Sequence, residues 1–314
     1  MKKIVTVTLN PAFDFHYFMD SFEVGRENYV TRSLCYAAGK GVNVSRALHS
    51  LGIKSMSYVI LGEQNGDEFE KMLRSDGMDF TPLYTEGSVR KNITLHHENG
   101  CETRVSLDDF WVGQDVLDEL ERRLKNAVDE QTLLSFSGRL PRGLSEENAV
   151  HLLEGLKSSG ARLLLDCNSL SGKTLKRINP WLIKPNEDEA AWLIGRKISD
   201  ADDAANAAFE LVKNGVAGEV LITLGGRGAA WSDGRKKAVI SAPEIENPLS
   251  TVGAGDSTVA GYLAGIAEGK EPDEVLALAI AFGTAACLTE GTAPPRKEDV
   301  ERLLSQVKIQ IKKT

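Results

Sequence analysis

Short apolar runs alternate along the chain with stretches whose apolar residues recur at helical spacing. The opening "KKIVTVTLNPAFD" reads as a strand stopped by Asn10-Pro11. In "GVNVSRALHSLGI" (41–53) the period becomes helical, with Val44, Ala47, Leu48 and Leu51 on one stripe and Gly52 as the stop. "MSYVILG" is the next strand, and "GDEFEKMLRSDG" (66–77) a helix with acids in its first turn. Further on, "TLLSFSG" (132–138) is a strand and "SEENAVHLLEGLKSSG" (145–160) a helix opened by Ser145. "ARLLLDC" then reads as a strand, "NEDEAAWLIG" as a helix, "EVLITLGGRGA" as a strand and turn, and 254–268 as a helix. Apolar strands alternating with amphipathic helices predict an α/β fold: a mostly parallel sheet covered by helices on both faces.

One region breaks this rhythm. "KNITLHHENGCETRVSL" (91–107) is two alternating strands around Asn99-Gly100, a hairpin signal. With the extended "FDFHYFM" (13–19) and "YVTRSLCYA" (29–37), it predicts a small β-sheet drawn from about 12–37 and 89–108 of a single 1–314 domain. Such a sheet makes a natural lid over one mouth of an α/β core. Its other face, left apolar, is expected to pack on a second copy and give a homodimer. His96 and His97 are strand neighbours on opposite faces, so they do not chelate a metal together.

Composition narrows the function classes. The 314 residues carry 37 Lys and Arg against 45 Asp and Glu, a net charge of −8 with the basic residues scattered. That argues against a nucleic-acid surface. The longest nearly apolar run (275–288) contains Gly283 and Thr284 and suits a buried helix better than a membrane span. The apolar stretch after the first residues is too short for a signal sequence. Four isolated cysteines make neither a disulfide framework nor a zinc site. The expectation is a cytoplasmic protein with no membrane or nucleic-acid partner.

In open α/β sheets ligands sit at the carboxyl ends of the strands, and four loops there carry distinctive chemistry. In "AAGKGVNVSRAL" (37–48), Gly39 and Gly41 flank Lys40, and Asn43 sits at a helix start, where backbone and side chains can meet an anion and a hydroxyl. In "WLIKPNEDEA" (181–190), Lys184 ends a strand; Asn186 and Glu189, three apart, suit Mg²⁺ or its waters, or equally a helix cap. "LITLGGRGAA" (221–230) places Thr223, Gly225, Gly226 and Gly228 in a turn that suits nucleotide phosphates or a simple hairpin. "STVGAGDSTVAGYLAG" (250–265) sets Gly253, Ala254 and Gly255 before Asp256: either an acid favouring the helix dipole, or an anion-binding nest with a base on its rim. There is no GxxxxGK[ST], no GxSxG elbow, and a GxGxxG fingerprint fails at Val44. Jointly the loops supply what phosphoryl transfer needs: positioning, cations against developing charge, and a base.

On "AGKGVNVSRAL" and "STVGAGDSTVAGYLAG", about 210 residues apart, with "LNPAFD", "KPNEDE" and "TLGGRGA" in order, the whole chain resembles the ribokinase-like PfkB carbohydrate kinases. "TLNPAFD" and "GKGVNVSRAL" are most similar to the sugar-phosphate branch of 1-phosphofructokinase, tagatose-6-phosphate kinase and minor 6-phosphofructokinase. The resemblance implies a three-layer α/β/α core with a β lid, and transfer from ATP with Mg²⁺ to a ketohexose phosphate, fructose 1-phosphate first. It implies Asp256 as base, with Gly253, Ala254 and Gly255 as the anion hole. It implies Asp14, Gly39, Lys40, Asn43, Arg90, Ser137 and Gly138 for the sugar phosphate, with Lys40 and Arg90 on its phosphate. For the nucleotide it implies Lys184, Thr223, Gly225, Gly226, Gly228 and Gly283, with Asn186 and Glu189 near the metal. Departures are Ala38 for a Gly, Arg139 for the Ser of SGSLP, "DCNSLSG" (166–172) for a DTSG-like stretch, and Ser250 for an Asp. Arg139 is expected either to add a phosphate contact or to exclude one substrate. A non-catalytic nucleotide or sugar-phosphate sensor and a dinucleotide oxidoreductase are the competing classes; the intact GAGD argues against the first.

Overall fold

In the computed structural model, which describes residues 2–97, 101–108 and 110–313, ten strands form one sheet and four form another. The first half supplies β1 (Lys3–Thr8), β2 (Ala12–Phe18), β3 (Arg32–Ala38), α1 (Lys40–Ser50), β4 (Met56–Gly62) and α2 (Gly66–Ser75). There follow β5 (Phe80–Thr85), β6 (Arg90–His97), β7 (Cys101–Ser106), α3 (Gln114–Ala127), β8 (Thr132–Ser137) and α4 (Glu146–Ser158). Then come β9 (Arg162–Asp166), α5 (Gly172–Ile178), β10 (Leu182–Ile183), α6 (Glu187–Ile194), α7 (Ala201–Lys213) and β11 (Glu219–Thr223). The chain closes with β12 (Ala229–Ser232), β13 (Lys236–Ser241), α8 (Ala254–Glu268), α9 (Pro272–Ala286), α10 (Lys297–Leu304) and β14 (Lys308–Lys313).

The large sheet runs β14-β13-β12-β11-β10-β9-β8-β1-β4-β5. From β5 to β11 every neighbouring pair is parallel, and β12, β13 and β14 extend it as antiparallel strands. The pleat sends alternate side chains into two cores. Val5, Val7, Leu134, Phe136 and Leu165 pack under α3, α4, α5, α6 and α7, whereas Ile4, Leu133, Leu164 and Leu221 pack under α1, α8, α9 and α10. This is the expected mostly parallel sheet between two helical layers. The antiparallel edge is an addition to the expected sheet: β12 and β13 follow the Gly-rich turn at 225–228, and β14 joins from residues 308–313.

The small sheet has the order β3-β2-β6-β7, with β2 and β6 parallel at its centre. Residues 29–31 precede β3 rather than join it. The Asn99-Gly100 turn lies outside the described residues. The face bearing Asp14, Arg90 and Asn92 turns toward the carboxyl ends of the core strands. Near its base the opposite face carries Phe13, which packs edge-on against Phe69 of α2 with ring centres 5.3 Å apart.

His96 pairs not with His97 but with His16 on the neighbouring strand, Nε2 to Nδ1 at 2.9 Å. Burial, with His96 beside it, drives His16 down to a pKa of about 4, and burial lowers His96 as well. Among the described residues no helix is long and apolar enough to cross a membrane.

Candidate active site

Because β1, β8, β9, β10 and β11 are parallel, their carboxyl ends open at one edge, and the sequence loops converge there on a cleft of about 620 Å³. Asp14, Gly39, Lys40, Asn43, Arg90, Lys184, Asn186, Glu189, Thr223, Gly225, Gly226, Gly228, Gly253, Ala254, Gly255, Asp256 and Gly283 all line it. Residues 241 positions apart in sequence, Asp14 and Gly255, thus share one cleft. Ser137 and Gly138 do not line it: the Ser137 hydroxyl is buried against Ser135 at 2.8 Å, and the Gly138 amide donates to the Asp166 carbonyl at 3.0 Å.

At the centre stands Asp256, in the first turn of α8 and 7% exposed. Gly253 caps that helix at φ 79°, a left-handed conformation that a side chain disfavours. The chain therefore turns sharply into the helix, and Gly253, Ala254 and Gly255 line the cleft there, the Ala254 amide donating to the Thr251 carbonyl at 3.5 Å. Asn43 Nδ2 donates to Asp256 Oδ2 at 2.8 Å. Burial pushes the Asp256 carboxyl up to about 6; Lys40, the Asn43 hydrogen bond and Lys184 oppose the shift, while Asp166 adds to it. A carboxylate with a pKa near 6 is ionised at pH 7 yet basic enough to take a proton.

Beside it lies a second acid that sequence reasoning missed. Asp166, at the end of β9 and 2% exposed, is flanked by Lys40 Nζ at 3.1 Å and Lys184 Nζ at 3.4 Å. Burial works against its charge, but the two ammonium groups outweigh burial and hold the carboxyl below its usual range. Lys40 is raised in turn: burial opposes its charge, and Asp166 and then Asp256 more than offset that. "DCNSLSG" gave no hint of this, because only the tertiary fold brings three loops onto one carboxylate.

The lid supplies the far wall. Asn92 Nδ2 donates to Asp14 Oδ1 at 2.7 Å; burial raises the Asp14 carboxyl, against the Asn92 bond and the charges of Arg90, Arg46 and Arg104. Arg90 is held by Asn10 Oδ1 at 2.7 Å and Asn92 Oδ1 at 2.6 Å, which fixes its guanidinium plane. Arg104, on β7, also faces the cleft while its Nη2 bonds Glu102 at 2.6 Å. Strand alternation from Asn92 across the hairpin would have placed Arg104 on this face. Arg139 lies outside the cleft, its Nη2 paired with Asp108 at 2.6 Å, so neither expected role follows from its position.

On the other side, Asn186 and Glu189 form a reciprocal helix cap: each side chain accepts from the other's amide, at 2.8 and 2.9 Å. The capping explanation of those letters is thus realised, while both residues still border the cleft. Beyond Thr223 and the 225–228 turn, Pro243, Ile245, Ile280 and Cys287 make an apolar end to the cleft that the sequence reading did not include. A Cβ on Gly283 would collide with Thr258 of α8, so this glycine permits close helix packing as well as bordering the cleft.

Residues 1–299 match the model of the pfkB family carbohydrate kinases. The chain is 29% identical over 311 residues to a 1-phosphofructokinase of Vibrio cholerae, covering 98% of this chain and 96% of that one. It is 30% identical over 307 residues to a 1-phosphofructokinase of Borreliella burgdorferi, covering 98% of both. Its fold is similar to phosphofructokinase-2 from Escherichia coli, solved in complex with substrates and products, at a TM-score of 0.90 and 28% identity over 97% of this chain and 99% of that one. Together with the convergent cleft, the match over nearly the whole length places the chain in the pfkB family of carbohydrate kinases.

Proposed function

We propose that this kinase transfers the γ-phosphoryl group of ATP to a ketohexose phosphate, with fructose 1-phosphate as the preferred acceptor and fructose 1,6-bisphosphate as the product. The observation that carries the reaction is the buried Asp256, its pKa raised to about 6, set beside helix amides and two lysines in one cleft. The choice of acceptor rests on the relatives named 1-phosphofructokinase over 98% of the chain. The similarity to phosphofructokinase-2, also solved in complex with fructose 6-phosphate, supports that sugar phosphate as the second reading. Tagatose 6-phosphate offers the same pairing of a phosphate and a distant primary hydroxyl.

In this reading the sugar lies between the lid and the sheet edge, with Asp14 and Asn43 on its hydroxyls. Asp256 takes the proton of the attacking hydroxyl as its oxygen bonds the γ-phosphorus and the bond to the bridging oxygen of ADP breaks. The amides of Gly253, Ala254 and Gly255 meet the charge on the phosphoryl oxygens. Lys40 and Lys184, both held by Asp166, stand at the same end as Asp256. That position suits Lys40 to the transferred group more than to the substrate's own phosphate, which Arg90 and Arg104 meet from the lid. Thr223, Gly225, Gly226 and Gly228 border the nucleotide phosphates, and the apolar end beyond them takes the flat base. Ser137 and Gly138 support the floor beneath Lys40.

Asn186 and Glu189 offer oxygen donors, and Asp166 Oδ2 is buried without a hydrogen-bond partner. This all-oxygen set is too small to cage a divalent ion and fits Mg²⁺ arriving with ATP and keeping waters. Bound there, the ion would neutralise phosphate charge. The outer face of the lid presents Tyr17, Ile93 and Leu95 half-buried, with Val105 49% exposed, and a second copy packing on it would make a homodimer.

An ADP-release assay across fructose 1-phosphate, fructose 6-phosphate, tagatose 6-phosphate and unphosphorylated fructose tests the proposal. The highest kcat/KM is expected with fructose 1-phosphate. Turnover of fructose alone, or of no phosphorylated ketohexose, overturns it.

A further inference from the structure

Arg46 is a buried cation that the reaction described above does not use. It lies on α1 one turn beyond Asn43, is 5% exposed, and does not reach the cleft. Its guanidinium is nevertheless bound in three directions. Nε donates to Asp76 Oδ2 at 2.9 Å, Nη2 to the Ala37 carbonyl, and Nη1 to Asn43 Oδ1 at 3.3 Å. Asn43 in turn donates to Asp256 Oδ2 at 2.8 Å.

An amide side chain has two nearly isosteric orientations that exchange its oxygen and nitrogen. Here the neighbours leave one. Guanidinium has no acceptor, so it demands Oδ1; an ionised carboxylate has no donor, so it demands Nδ2. We propose that Arg46, anchored by Asp76 at the end of α2, is a positioning residue that locks the Asn43 amide in the orientation that donates to Asp256. The proposal rests on Asp256 being the base. No proton moves along the chain of contacts, since Arg46 stays charged throughout. The amide's hydrogen bond favours the ionised acid; released, the amide turns away or presents its oxygen to it, and the acid becomes harder to ionise. The other charged groups facing Asp256 are Lys40, Lys184 and Asp166, which neither substitution below touches.

Two variants separate this relay from simple electrostatics and from a structural role. Arg46→Met removes the donors, and Asp76→Ala removes the anchor at a half-exposed site while leaving Arg46 in place. For both, the acid limb of the pH profile of kcat/KM is expected to move up by about half a unit or more, with part of the lost rate recovered at higher pH. Through-space charge alone predicts the opposite direction for Asp76→Ala, because removing an anion makes Asp256 easier to ionise. A merely structural Arg46 lowers the melting temperature and leaves the limb of the surviving enzyme where it was. An unmoved or downward limb in Asp76→Ala overturns the proposal, even if Arg46→Met does not fold. Asp256→Asn, run in parallel, keeps the two readings apart. If it retains turnover, the base assignment fails; if it is inactive and the limb does not move in the other variants, the relay alone fails.

Discussion

Asp256→Asn is expected to trade turnover for stability, and both sides can be worked from the site. Asparagine matches the shape and still accepts from Asn43, but cannot take a proton, so kcat should fall by about 10²–10⁴. In the folded protein burial raises the Asp256 carboxyl from its ordinary 3.8 to about 6. Ionising this acid therefore costs the folded state about 3 kcal/mol relative to the unfolded chain. The folded state holds the proton more tightly, so stability falls as pH rises through the window between those two values and stays lower above it. The neutral asparagine avoids that cost, which for a chain of 314 residues corresponds to about 4 °C in Tm. Calorimetry of both proteins without nucleotide at pH 8 should show the variant melting higher, and the gap should close near pH 4, where Asp256 is protonated. A variant melting no higher at pH 8 would mean that Lys40, Lys184 and Asn43 fully compensate the charge. Turnover within tenfold of the parent would refute the role as base.

Lys40→Met should lower kcat more than it raises KM for the sugar phosphate, and should shift the acid limb upward because Lys40 favours the ionised Asp256; steady-state kinetics showing a pure KM effect would return Lys40 to the substrate's own phosphate. Arg104→Ala should raise KM for a ketohexose phosphate about tenfold or more, the worth of one charge-assisted hydrogen bond, with KM for ATP as the insensitive control. Ile93→Asp, on the outer face of the lid, should yield monomers in sedimentation velocity where the parent sediments as a dimer; a parent that is itself monomeric removes the lid interface.

Periodicity was enough to read the alternating core, because strands buried on both faces are uniformly apolar and their helices carry one apolar stripe. The lid was legible for the opposite reason: a sheet with one wetter face alternates, as 91–97 does. Three of the four loops announced themselves through glycine, since a backbone that turns at Gly39 (φ 137°) or Gly253 (φ 79°) excludes most side chains, and the fourth through Lys184, Pro185 and the cap residues Asn186 and Glu189. The antiparallel edge, β12 to β14, is not legible in the same way, because strand direction is set by which strands pair in space and β14 joins β13 from the far end of the chain.

What local sequence determined, then, was which loops could bind anions and which acid stood among first-turn amides. It did not determine how those groups act on each other. Asp166 became the anchor of two lysines, Arg46 the partner of Asp76, and Arg139 the partner of Asp108 only when separate elements met in space. Charge coupling and desolvation depend on distance and burial, and both are set by the parallel sheet that brings distant strand ends to one edge. The same letters, Asn186 and Glu189, spell a helix cap in sequence; it is that sheet edge which also turns them toward the cleft.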